Sequence, residues 1–118
     1  QDIKSNISVI KKITNNTGGT FDKNKIKEKI RVFDSKISEE NFWKDKVKAQ
    51  KILKEKKFFS DILDNFNSTI NEFQNIEQLL ELASRENEIE VIKDCEKKIF
   101  LLLKEIKKIE VSCFLSHE

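Results

Sequence analysis

The 118 residues hold 37% hydrophobic and 37% charged side chains, with two Gly and no Pro: enough for one domain with a modest core, and too few turn-formers for a sheet protein. A formal net charge of +2 is too small to mark a nucleic-acid binder. No apolar run approaches the ~18 residues of a membrane span, and no signal-peptide pattern opens the chain.

Ile3, Ile7, Ile10 and Thr14 are spaced four, three and four apart, which predicts a short amphipathic helix over about 2–16 with lysines on its outer side. Asn15-Asn16-Thr17-Gly18-Gly19 is expected to stop it, because Gly takes the left-handed conformation that closes a helix. Thr17-Gly18-Gly19-Thr20 is no phosphate loop, which needs a preceding strand, more glycines and a Lys-Ser/Thr pair. Phe21-Asp22 then opens a second helix, about 23–37, with Asp22 as N-cap and Phe21 stapled to Ile26. Ile26, Ile30, Phe33 and Ile37 form its apolar stripe. After the polar turn Ser38–Asn41, Phe42 and Trp43 are expected to plug the junction with the next helix; base stacking or ligand binding by Trp43 is the functional alternative to burial.

The stretch from Ile52 to Ala83 organises the rest. Ile52, Phe59, Phe66, Phe73 and Leu80 recur every seventh residue, with Ile62, Leu63, Thr69, Ile70, Ile76 and Ala83 between them. That seam predicts a long helix over about 44–84. A second seam, Ile92, Ile99, Ile106 and Cys113 with Cys95, Leu102 and Ile109 between, predicts a last helix over about 88–111. Neither seam is stable in water alone, so residues 45–111 read as an antiparallel hairpin, roughly 60 Å long at ~1.5 Å per residue. Asn87 with Glu90 resembles a capping box restarting the chain after the turn. Matching the seams opposes Leu80 to Ile92, Phe73 to Ile99 and Phe66 to Ile106. Residues 44–58 then project beyond the last helix and need cover from the first two. The whole is an all-α, elongated bundle of about four helices, dominated by a coiled-coil-like hairpin and forming a single domain over 1–118.

Charge follows the same plan. Residues 44–57 carry seven lysines against two acids, residues 58–90 eight acids against Arg85, and residues 93–108 six lysines against three acids. Folded as a hairpin, the basic last helix lies beside the acidic half of the long one, which disfavours a parallel self-dimer. Lys46, Lys54 and Lys57 fall on the face away from Ile52. They are either an ordinary solvated face or a contact for RNA.

Catalytic chemistry has no footing here. His117 is the one histidine, with nothing to place it beside a nucleophile and an acid. No Cys/His spacing suits a metal, no Glu-x-x-His pair suits a di-iron bundle, and no cofactor or small-molecule substrate is implied. Cys95 and Cys113 lie about 27 Å apart on one helix, too far for a disulfide, so they read as buried free thiols. Three Asn-x-Ser/Thr triplets (Asn6, Asn15, Asn67) are expected to be chance occurrences. The chain begins at Gln1 and has no Met, as expected of a piece of something longer.

Several strings occur in a telling order: Phe21-Asp22; Phe42-Trp43 with a lysine-rich segment after it at Ala49-Gln50; Leu79-Leu80-Glu81-Leu82-Ala83 before an acidic turn; and Ile109-Glu110 leading to Phe114-Leu115-Ser116. In this order and spacing the chain resembles the N-terminal domain of bacterial peptide chain release factor 2, a class I translation release factor. The likeness runs from about Phe21 onward and more loosely over the first helix, and the Trp43 segment favours this branch over release factor 1. The resemblance implies a cytoplasmic parent that reads UGA and UAA codons and promotes peptidyl-tRNA hydrolysis. In that family codon reading depends on Ser-Pro-Phe and hydrolysis on Gly-Gly-Gln, and neither string occurs in these residues. It further implies a non-catalytic domain that faces the stalk-base region of the large ribosomal subunit and works with the GTPase class of release factor. No functional residue carries over from the family; Lys46, Lys54 and Lys57 are candidate ribosome contacts on their charge alone. The rival reading is a stand-alone coiled-coil adaptor that gathers protein partners in a groove beside Phe59 and Phe66.

Overall fold

The computed structural model describes residues 2–115, Lys23 by its backbone alone. Among these residues it is all α, with no strand: α1 (Ile3–Asn24), α2 (Ile26–Ile37), a 3-10 turn (Phe42–Lys44), α3 (Lys46–Arg85) and α4 (Ile89–Leu115). They form a rod of 62 × 21 × 18 Å.

The rod is built around α3, whose 40 residues give about 60 Å of helix at ~1.5 Å per residue. Its N-terminus is fixed by Asp45, whose carboxylate accepts the Lys48 amide at 3.1 Å. Ala49, Ile62, Phe66, Thr69, Phe73, Ile76 and Ala83 are its buried stripe. α4 returns antiparallel and buries Cys95, Ile99, Leu102, Leu103, Ile106, Ile109 and Cys113. A groove between the two is lined by Asn65, Ser68, Thr69 and Glu72 on one side and Lys98, Leu101, Leu102 and Glu105 on the other. This places Phe66 and Phe73 in the same register, against Ile106 and Ile99, that the seams predict. All four join one core.

The turn of the hairpin works differently from the capping box expected at Asn87. Asn87 is left-handed (φ 55°). Its own amide bonds back to the Ser84 carbonyl at 3.4 Å and that of Glu88 to Ala83 at 2.9 Å. These are the two bonds of a Schellman motif, so Asn87 closes α3, where its side chain tolerates a positive φ better than most.

The first helix corrects the expectation more strongly. Gly18 and Gly19 lie inside α1, which runs on to Asn24, and neither has a positive φ. Glycine permits a helix stop without forcing one. What decides is the stripe Ile10, Ile13, Thr17 and Phe21, which continues at helical spacing across the glycines and is buried throughout. Thr17 joins it although its hydroxyl is left without a hydrogen-bond partner. Phe21 and Asp22 therefore end a helix instead of opening one, and the Asp22 carbonyl accepts the Lys25 amide at 3.2 Å. The break is Lys25 alone, at φ 54° and ψ 48°. From Phe21 to Ile26 the stripe steps five residues, about 140° around a helix, and one left-handed residue resets the phase.

Because α1 and α2 are joined by a single residue, α1 does not fold back over residues 44–58. It extends along α4 instead. Ile3 and Asn6 line a depression with Lys93, Glu96, Lys97 and Phe100, and Thr17 and Thr20 another with Glu110, Cys113 and Phe114, so the two helices run parallel. α1 also reaches α3 through a Lys11–Glu77 ion pair at 2.8 Å and Phe21, whose ring meets Phe66 edge-on at 4.7 Å. α2 covers the N-terminal half of α3, with Phe42 of the 3-10 turn beside Ala49 and Ile52 at its start. Phe33 stacks on Phe59 at 6.0 Å, the Lys29 ammonium lies 5.1 Å from the same ring, and Lys56 pairs with Asp34 at 2.5 Å.

Candidate functional surface

The end of the rod where α2 gives way to α3 gathers the residues singled out in the sequence. Lys46, Lys54 and Lys57 are all exposed, and their spacing keeps them within about 80° of one another around α3. Lys57 is tied to Asp61 one turn on, at 2.9 Å. Such an exposed pair is worth only about 0–1 kcal/mol, so the ammonium remains available to a stronger anion. Lys44, Lys48 and Lys51 are exposed on the same segment, while Lys56 is committed to Asp34.

The two aromatics of the junction part company. Phe42 is buried at 9% exposure and Trp43 stands out at 62%, their rings T-shaped at 4.8 Å and 87°. Trp43 does not plug the junction; the short 3-10 turn has one inward position, and Phe42 fills it. Nothing in the dipeptide marks which ring goes inward. A depression beside the pair is lined by Lys36, Glu39, Asn41, Asp45, Lys48 and Ile52. Val47, the second residue of α3, is 80% exposed.

Elsewhere the rod offers little to chemistry. Among the described residues there is no group of three or more His, Cys, Asp or Glu able to hold a metal ion, and no helix is long and apolar enough to cross a membrane. His117 and Ser116 lie outside the described residues. Cys95 and Cys113 are buried and not joined in a disulfide, and burial pushes the Cys95 thiol above its ordinary value, with Lys98 opposing and Asp94 adding. The groove expected beside Phe59 and Phe66 for an adaptor is occupied from within, by Phe33 and Phe21.

The PCRF domain model matches residues 26–118, from the first residue of α2 onward. The chain belongs to the PCRF domain family. Relatives of this PCRF chain include peptide chain release factor 2 of Neorickettsia sennetsu, 27% identical over 117 residues, covering 99% of this chain and 30% of that protein. That of Clostridium perfringens is 28% identical over 120 residues, 99% of this chain and 33% of the relative. That of Borreliella burgdorferi is 32% identical over 66 residues, 56% of this chain and 18% of the relative. The PCRF chain thus spans about a third of the length of the release factors it matches over its full extent. Their alignments include α1, which the domain model leaves out.

Proposed function

We propose that this chain is the N-terminal domain of a peptide chain release factor acting in translation termination at UGA and UAA codons in the cytoplasm, and that it positions the factor on the ribosome without catalysing anything itself. The observation that carries the reading is coverage: release factors 2 from distant bacteria align with 99% of the chain, and the PCRF domain with all of α2, α3 and α4. A non-catalytic role accords with 118 residues that contain neither Ser-Pro-Phe nor Gly-Gly-Gln. Its partners on this reading are the ribosome, at the stalk-base region of the large subunit, and the GTPase class of release factor. The exposed lysines at the α2–α3 end, Lys46, Lys54 and Lys57 among them, supply the charge for a ribosomal RNA contact.

The test is a release factor of full length carrying Lys46→Glu, Lys54→Glu and Lys57→Glu together. Ribosome association should weaken, and its dependence on salt should flatten by about two to three in the slope of log K against log salt, about one per lost phosphate contact. Unchanged binding across the salt series would leave these lysines with solubility alone.

A further inference from the structure

Trp43 is a large ring held in water. Phe42 beneath it is buried and braces it edge-on at 4.8 Å, and at 62% exposure at least one face of the indole is open. The segment after it carries Lys44, Lys46, Lys48 and Lys51, all exposed, with Lys48 and Lys51 about 140–160° around α3 from Lys46. The acids nearby are Glu39, Glu40, Asp45 and Glu55. Asp45 is spent in capping α3, and over residues 39–57 seven lysines stand against these four acids. Between residues 42 and 57 the large apolar side chains that stand exposed are Trp43 and Val47, little for a protein interface whose core excludes charge. An open aromatic face on a lysine-rich segment is instead the arrangement that holds single-stranded nucleic acid, the base on the ring and the phosphates on the lysines.

We propose that Trp43 is a stacking platform for an unpaired base of RNA, with exposed lysines of the same segment on the flanking phosphates. This rests on the reading that the lysine-rich end meets the ribosome and deepens it, by naming the form of RNA that end takes.

Trp43 is the only Trp and there is no Tyr, so the emission of the 118-residue chain reports on this one ring. The chain is titrated with a single-stranded oligoadenylate of about twelve nucleotides and with an RNA duplex of the same length, affinities being read in parallel from labelled RNA. Saturable quenching by the single strand is expected. Trp43→Ala should weaken single-strand binding about tenfold, within the range for loss of one stacked base, and duplex binding less than twofold, while Trp43→Phe keeps most of the affinity. Helicity by circular dichroism should be the same for all three, because the ring supports no core.

Emission unmoved by RNA, or Trp43→Ala binding the single strand within twofold of the parent chain, overturns the proposal. So does a blue shift produced by polyglutamate and not by RNA, which would assign the end to an acidic protein. If quenching and the tenfold loss are seen while the reversal of Lys46, Lys54 and Lys57 leaves ribosome association intact, stacking stands and the positioning role falls. If the reversal weakens association and Trp43→Ala changes nothing, the positioning role stands and stacking falls.

Discussion

Phe66 reaches from α3 to α1. Its ring meets Phe21 edge-on, and a Cβ added at Gly18 would lie 3.7 Å from its Cζ. Removing it opens a void between α1 and the hairpin that neither helix can close without moving. Phe66→Ala, and likewise Phe73→Ala one heptad on, should cost about 3–5 kcal/mol in urea unfolding; a cost below about 1 kcal/mol would mean the rings face water. Cys95 gives a prediction of a different kind. Its thiol is raised above 9.0 in the folded chain, so above that pH the unfolded chain releases a proton that the folded one keeps. Stability linked to Cys95 is therefore whole below pH 9 and declines as pH climbs beyond it. Cys95→Ala should lose less stability between pH 8 and pH 10 than the parent chain, and an equal loss would dismiss the linkage. At this scale burial was legible in the middle of the seams, as at Phe66, Ile99 and Cys95, while Ile52, Leu80 and Ile92 toward the seam ends are only half-buried. It was illegible at Trp43, which belongs to no repeat and whose fate depends on the orientation of a single turn.

The long helices were legible because each carries an apolar row too long to be accidental and neither can cover itself. Their ends were less so. Asn87 and Lys25 both hold a left-handed residue, yet neither is glycine, while the two glycines present sit in regular helix. The useful signal was phase: Ile13, Thr17 and Phe21 stay in step across the glycines, and the row falls out of step only between Phe21 and Ile26. A helical glycine with room around it is a liability that can be removed. Nothing lies within 4 Å of a Cβ built on Gly19, so Gly19→Ala should stabilise the chain by about 0.5–1 kcal/mol, measured as a raised urea midpoint. No gain would point to a frayed segment at 17–20 in place of continuous helix.

Taken whole, α1 and α2 run up one side of the molecule, α3 returns its full length, and α4 climbs again beside α1. The Cα radius of gyration is 18.6 Å, against about 13–14 Å for a compact domain of this length. So thin a body keeps most of its described residues within reach of solvent. The purified 118-residue chain should release no peptide from ribosomes stalled at a stop codon; release above the background without factor would contradict its non-catalytic assignment. The doubling of α1 onto α4 was not foreseen, because the covering needs of residues 44–58 say which half of α3 is bare and nothing about what else α1 must cover.

The distribution of charge along this body has one more effect. Cationic side chains crowd one tip, while Glu81, Glu86, Glu88 and Glu90 surround Arg85 at the other, and the long dimension between them is 62 Å. Several Debye lengths at physiological ionic strength fit into that span, so the tips feel separate surroundings. Near a polyanion such a body turns like a compass needle, leading with its amine-bearing pole before any contact is made. Orientation would then be selected during diffusion, and dilution of salt would sharpen it.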